Sequence, residues 1–429
     1  MQRDLLKSRL SRLPQLPALD PPGGEVEELD ADEAAEALDS FDPTAPAVRT
    51  PRRRIGALAS SPAASAQYAP LSAEGSFAEA LEVDVPVQNV WAGSPSRETA
   101  QFRVYYTPPP PPTTRGGADA DADDTHEAGG PGRNGVVFVC VHGAGYSALS
   151  FAELAKQLVE PDEDGSARGR IGVLAYDARG HGKTRLPDLA DRAEGSKVVD
   201  MSLENLGADL VSLLRTLFPD RRTAPALVLV GHSMGGAVVA EACKTIQKEV
   251  ADVTGVAVVD VVEGTAIEAL PGMATLVAGL PQSFDSQADA IAWHVHSRTI
   301  NNLASARISI PPLIRPADPA AAPGSEGPYV WRVRLAETEP YWRGWFTGLS
   351  NKFLGCRAAK LLLLAGTDRL DKELLIGQMQ GKYQLEVYPD VGHCVHEDAP
   401  ERTAETLLSF WERNDRTDVL RGVKKVGEA

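Results

Sequence analysis

Cysteine is scarce in this chain: four in 429 residues, Cys140, Cys243, Cys356 and Cys394, with no two at a paired spacing. That excludes a disulfide framework and argues against a zinc site, both of which need clustered thiols. No apolar run approaches the roughly 20 residues that cross a bilayer. The N-terminal stretch Met1-Gln-Arg-Asp-Leu-Leu-Lys-Ser-Arg9 carries charge too often to form the apolar core of a signal peptide. Basic residues are outnumbered, 43 against 59 acidic, which leaves a formal charge of −16. Negative excess repels phosphate backbones and anionic headgroups, so neither nucleic acid nor a membrane surface is an expected partner. A reducing compartment is expected: cytosol, nucleus or both.

Aromatic residues are nearly missing before Tyr68, where Pro, Ala, Ser and acidic residues dominate. Such a composition cannot bury enough apolar surface to offset chain entropy, so residues 1–75 read as a disordered arm. Its Arg52-Arg53-Arg54 cluster reads as solvated tail rather than as a nuclear address. A second low-complexity stretch spans 108–135, with five prolines followed by a Gly/Ala/Asp run. Proline lacks a ladder donor and the acidic run repels itself, so this is an exposed insertion. Residues 413–429 read as a flexible tail, leaving 76–412 as the folded domain.

What the chain does have is a strand rhythm. Leu81, Val83 and Val85 alternate with polar neighbours, as do Phe102, Val104 and Tyr106, which predicts an antiparallel pair. Val136–Val141, Ile171–Tyr176, Ala226–Val230, Val256–Val259 and Leu361–Ala365 are continuous apolar runs, as strands buried on both faces require. A further alternating segment holds Leu385 and Val387. Helical stripes lie between the runs, among them Leu203 to Leu217 after a Ser202 cap and Thr403 to Trp411. Alternation of this kind predicts an α/β fold with a doubly wound, mostly parallel sheet. The rhythm breaks over 266–350, which reads as a helical lid inserted between late strands. Trp331, Trp342, Trp345 and Phe346 fall in it, as lid packing or as an aromatic groove for a peptide.

The chemistry lies at strand ends. Gly231-His-Ser233-Met-Gly235-Gly236 follows a strand directly and precedes a good helix start, the strand–turn–helix setting of a G-x-S-x-G nucleophile elbow. A serine hydroxyl is a weak nucleophile at neutral pH and needs a base beside it. Of eight histidines, His393 fits best, late in the chain after the Leu385–Val387 strand. His396 is its competitor, but sits where Glu397 and Asp398 suit a helix N-terminus. The acid stays open between Asp260 and Asp368, each at the carboxyl end of a strand, with Asp371 a weaker third. Oxyanion donors are expected from the amide of Met234 and from the glycine-rich loop His142-Gly143-Ala144-Gly145, at Gly143 or Ala144. Asp177-Ala-Arg-Gly-His-Gly182 reads as a structural turn, since it lacks the Lys-Ser/Thr of a phosphate loop.

Several of these stretches together resemble the protein phosphatase methylesterases. They include His142–Ser150, Gly231–Gly236, Asp260-Val-Val-Glu-Gly-Thr-Ala266, Leu361–Asp371, Ile376-Gly-Gln-Met-Gln-Gly381 and Gly392–Pro400. The resemblance covers roughly residues 70–412 and implies the α/β-hydrolase fold. It implies a serine esterase that needs no cofactor or metal and demethylates the C-terminal leucine of the protein phosphatase 2A catalytic subunit. It also implies Asp260 as the acid beside Ser233 and His393, with Ala144 and Met234 holding the oxyanion. The insertion at 108–135 and the short loop near 315–327 depart from the family pattern. The alternatives are an esterase or peptidase for another small substrate, or a non-catalytic phosphatase-binding protein.

Overall fold

In the computed structural model, residues 62–415 are described apart from 94, 112–134, 161–170, 188–197, 319, 321–326 and 367–369. Most of the expected arm with its triple arginine, most of the 108–135 insertion, the tail beyond 415 and Asp368 lie outside the described residues.

The strands are β1 (Glu79–Gln88), β2 (Arg97–Thr107), β3 (Val136–Val141), β4 (Ile171–Tyr176), β5 (Ala226–His232) and β6 (Val253–Val259). They continue with β7 (Ile314–Pro316), β8 (Tyr329–Trp331), β9 (Ala359–Ala365) and β10 (Gln384–Tyr388). Eight of them form one sheet in the order β1-β2-β4-β3-β5-β6-β9-β10. β1 pairs antiparallel with β2, and β2 with β4; the other pairs are parallel.

Both faces of this sheet are covered, which is why its central strands read as unbroken apolar runs. Val137, Val139 and Val141 point into one core together with helices Leu203–Leu217 and Met234–Glu249. Val136, Phe138 and Cys140 point into the other, against helices Ala152–Val159 and Pro400–Asn414. Alternating side chains of one strand thus feed two cores, the doubly wound arrangement expected from the sequence.

Local details differ in instructive ways. Ser202 precedes the helix Leu203–Leu217, but its side chain makes no capping hydrogen bond. Its N–H is instead taken by the carboxylate of Asp200 at 2.9 Å. Order also begins earlier than composition suggests. Pro62–Gln67 forms a short helix, and Tyr68 packs with Phe284, Ala288 and Ile291. The backbone there is tied down by Leu71 N–H donating to Arg307 O at 2.9 Å and by Arg307 Nε donating to Ala69 O at 2.5 Å. One aromatic anchor and these bonds hold a segment whose composition alone reads as arm.

Between β6 and β9 the chain leaves the sheet. Helices Glu263–Gly279, Gln287–His296, Leu303–Ser309, Glu339–Phe346 and Leu349–Gly355, with the β7–β8 hairpin, fill this interval. Their apolar faces build part of a separate core and roof over the carboxyl ends of β5 and β6.

Candidate active site

Ser233 sits between β5 and the helix Met234–Glu249, with φ 52° and ψ −119°. A non-glycine residue in this region is strained, at a cost on the order of 1–3 kcal/mol, and persists only where its neighbours hold it. Here Ser233 N–H donates to Val259 O at 2.9 Å and Ser233 O accepts from Gly236 N–H at 2.8 Å. The flanking glycines are required by space. A Cβ on Gly231 would lie 2.2 Å from Gly235 O, and one on Gly235 would lie 2.0 Å from Val141 O.

Asp260 follows β6 and is also held at a positive φ of 52°. Its N–H donates to Leu363 O at 2.7 Å, and its Oδ1 accepts from Ala365 N–H at 2.7 Å. Those bonds to β9 leave Oδ2 free to accept from His393 Nδ1 at 2.6 Å. His393 is half exposed while Asp260 is largely enclosed, at 49% and 10% side-chain exposure, so the imidazole faces the site and its partner backs it. Asp371 is engaged elsewhere. Its Oδ1 caps the helix Lys372–Met379 at Leu374 N–H (3.0 Å), and its Oδ2 accepts from Ser350 Oγ at 2.5 Å.

The loop carrying His393 is clamped on both sides. Asp398 accepts from Gly392 N–H at 2.8 Å and from Asn301 N–H and Nδ2 at 2.7 and 2.6 Å. A Cβ on Gly392 would sit 3.1 Å from the Asp398 carboxylate, so glycine serves close approach at this point. His232 Nε2 donates to His393 O at 3.0 Å. His396 does not line the cavity beside Ser233: its ring lies 4.6 Å from that of His232, and it is buried, stacked on Phe151 with ring centroids 4.3 Å apart. Burial, and then the charge of His393, push its pKa down to about 3, so it stays neutral. Glu397 is not a solvated helix-terminal acid: it is fully buried, and burial pushes its carboxyl up to about 8.

The loop 142–145 is fixed by two neutral imidazoles. His142 Nδ1 donates to Gly143 O at 2.8 Å and its Nε2 accepts from Ala178 N–H at 3.0 Å. His181 Nδ1 donates to Arg179 O at 2.9 Å and its Nε2 accepts from Gly145 N–H at 3.0 Å. Burial is the main cause that lowers both, to about 3 for His142 and about 4 for His181. Gly145 N–H is therefore engaged. The N–H groups of Ala144 and Met234 donate to no backbone carbonyl among the described residues, and both residues line the cavity beside Ser233. Gly143 instead backs onto Ser233, where a Cβ would lie 3.2 Å from Ser233 Cβ.

The turn after β4 supports this loop. Asp177 accepts from Ala148 N–H and Lys183 N–H, each at 2.8 Å, and Arg179 forms a buried two-pronged pair with Asp209 at 2.6 Å. Sequence reasoning identifies the turn as structural but misses what it holds, and it overlooks His142, His181 and His232 as supports. The available signal is their common position at the carboxyl ends of β3, β4 and β5.

Ser233, Asp260 and His393 open onto one cavity of about 850 Å³. Its walls are mostly apolar, with Met273, Val277, Leu280, Trp331, Trp342 and Phe346 among them. Trp342 and Trp345 serve packing as well, through Nε1 bonds to Thr338 Oγ1 (2.8 Å) and Met201 O (2.7 Å). A serine held at a strained turn, an imidazole fixed by a carboxylate in the same cavity, two amide donors and apolar walls can together carry acyl transfer on an apolar ester.

The Alpha/beta hydrolase family model matches residues 138–406. Protein phosphatase methylesterase 1 of Cryptococcus neoformans var. neoformans serotype D is 45% identical over 365 residues, 82% of this chain and 80% of that protein. Protein phosphatase methylesterase 1 of Yarrowia lipolytica is 43% identical over 339 residues, 76% of this chain and 71% of that protein. Among solved structures, the peroxisomal alpha-beta-hydrolase Lpx1 from Saccharomyces cerevisiae is similar with a TM-score of 0.55 at 16% identity, covering 82% of this chain and 92% of that one. E-2-(acetamidomethylene)succinate hydrolase gives 0.52 at 19% identity, covering 78% and 100%. At such identities the solved structures establish the fold alone.

Proposed function

The chain belongs to the protein phosphatase methylesterase family of α/β-hydrolases, and from that membership we propose that it demethylates the C-terminal leucine methyl ester of the protein phosphatase 2A catalytic subunit. The observation that carries the chemistry is the 2.6 Å bond between His393 Nδ1 and Asp260 Oδ2, at the mouth of the cavity that holds Ser233. With Nδ1–H donated to the carboxylate, Nε2 is the basic nitrogen.

Ser233 Oγ attacks the ester carbonyl while His393 Nε2 takes its proton. Asp260 holds the tautomer and stabilises the imidazolium. The oxyanion accepts from the amides of Met234 and Ala144, fixed donors that need no reorganisation. Collapse expels methoxide, which leaves as methanol with the proton from His393. Water then attacks the acyl-enzyme with His393 as base, releasing the free carboxylate and restoring Ser233. The apolar cavity suits a leucine side chain, which gains roughly 1.5–3 kcal/mol on full burial. We propose that the protein acts in the cytosol, the nucleus or both, with neither nucleic acid nor membrane as partner; subcellular fractionation tests this.

The test is methanol release from carboxymethylated phosphatase 2A by wild type, Ser233→Ala and Asp260→Asn. Release by wild type with loss in both variants supports the reading. Cleavage of a generic ester through Ser233 without release from the phosphatase would keep the nucleophile and remove the substrate.

A further inference from the structure

Beside the catalytic cavity lies a second one of about 450 Å³, and it differs in chemistry. Arg315, Arg332 and Arg334 all line it, against a single carboxylate, Glu337. Trp331 and Val333 line both cavities, so the segment 331–334 is the wall between them.

The β7–β8 register explains how the arginines come together. Arg315 pairs with Val330 across the antiparallel ladder, and Arg332 N–H continues it by donating to Leu313 O at 2.9 Å. Directly opposed residues share a face, and so do residues two apart along a strand. Arg315 and Val330 therefore share one face, and Arg332, two residues past Val330, falls on it too, with the two arginines on a diagonal. Like charges in such a pair destabilise a hairpin unless something neutralises them.

No carboxylate of the described residues is bonded directly to Arg315 or Arg332. Glu337 is held by Arg334 at 3.2 Å. Arg315 reaches Pro316 O at 3.3 Å and no carboxylate. The acid that acts on Arg332 is Asp177, whose oxygens already accept from Ala148 and Lys183. Desolvation, and then the charge of Arg315, pull Arg332 below the ordinary arginine range. This concentration of positive charge stands in a chain of formal charge −16, where surface arginines have acids in abundance.

We infer that this cavity is an oxyanion subsite, in which Arg315 and Arg332 bind a carboxylate or phosphate carried by the peptide whose methyl ester lies over Ser233. A planar guanidinium presents paired N–H donors that match such oxyanions, and two of them flank the cavity from adjacent strands. The shared wall puts the subsite next to the ester cavity, so an acidic or phosphorylated residue upstream of the ester would be read there. The inference rests on the esterase reading for its substrate, but the anion chemistry stands apart from it.

The experiment compares the full chain with the double variant Arg315→Gln/Arg332→Gln in two arms. The first measures kcat/KM on paired leucine methyl ester peptides, identical except for Asp against Asn, or phosphoserine against Ser, a few residues before the ester. Wild type should favour the charged member about tenfold at low salt, as a charge-assisted contact implies, and the double variant should show a ratio near one. Each enzyme serves as its own reference, and fluorophosphonate labelling of Ser233 reports that the variant is folded. The second arm measures inorganic phosphate binding by calorimetry. Phosphate should bind wild type, compete with the charged peptide and fail to bind the variant. Phosphate binding lost in the variant, without any peptide preference in wild type, would support the anion site while assigning it to a free ion. Phosphate binding with no hydrolysis of either peptide would remove the esterase reading and leave the subsite. A ratio of one in wild type together with no phosphate binding overturns the inference.

Discussion

His232 Nε2 donates to the carbonyl of His393 across 3.0 Å, so the residue before Ser233 holds the loop that carries His393. The two rings also lie 4.6 Å apart. Burial and the charges of its histidine neighbours hold His232 well below the usual histidine range, so it remains a neutral donor. The nucleophile elbow and the histidine loop are thereby one unit, although 161 positions separate the bonded residues.

Removing that donor should loosen His393 without touching substrate. We expect His232→Ala to lower kcat about tenfold with little change in KM, since one such hydrogen bond contributes about 1–1.5 kcal/mol. Steady-state kinetics and the rate of fluorophosphonate labelling at Ser233 check this. A change confined to KM would contradict it.

Asp260 and Asp371 should separate activity from stability. Asp260→Asn should reduce kcat by about three to four orders of magnitude, because an amide favours the wrong imidazole tautomer. Asp371→Ala removes a helix cap and should cost about 1 kcal/mol of stability while the folded enzyme keeps its kcat. Chemical denaturation beside kinetics gives both readings.

Glu397 should impose an alkaline limit on stability. Its folded pKa of about 8 lies above its ordinary value of 4.5, so the folded state holds a proton that the unfolded chain gives up in between. The stabilisation is complete below 4.5 and is lost as pH rises through about 8. The unfolding free energy of wild type, from denaturant titrations, should fall from pH 5 to 8.5 by on the order of several kcal/mol more than that of Glu397→Gln. Parallel curves would mean that Glu397 is ionised in the folded protein. His396 acts on the other side: its folded pKa of about 3 lies below the ordinary 6.5, so its contribution is present above 6.5 and lost as pH falls. His396→Phe should flatten that acid limb.

Gly235→Ala should fail for lack of space. The new Cβ would meet the backbone oxygen of Val141 at 2.0 Å, with no side chain able to yield. We expect a loss of about 3 kcal/mol or more and little Ser233 labelling, whereas Gly272→Ala, with nothing within 4 Å, should be tolerated.

The strands are legible in the sequence because burial on both faces leaves a continuous apolar run, and Val136–Val141 is buried throughout. Ser233 is legible for a related reason: a strand, a tight turn and a helix meet in consecutive residues, and the glycines mark where side chains cannot fit. The Ser202 cap and the end of the arm are not, because each depends on a partner that composition and propensity do not register. Asp200 takes the Ser202 N–H, and Tyr68 is ordered by residues more than two hundred positions away.

By itself, then, the sequence determined the sheet and the strand–turn–helix setting of Ser233, both properties of local periodicity and local sterics. Position alone left the acid open between Asp260 and Asp368, with Asp371 a weaker third, and only the family resemblance pointed to Asp260; the tertiary structure brings Asp260 to His393. Asp260 meets it because β9 ties its backbone and one carboxylate oxygen, leaving the other to His393. The burial of His396 and Glu397 and the meeting of Arg315 with Arg332 were equally invisible, since desolvation and charge proximity exist only once separate segments are packed together.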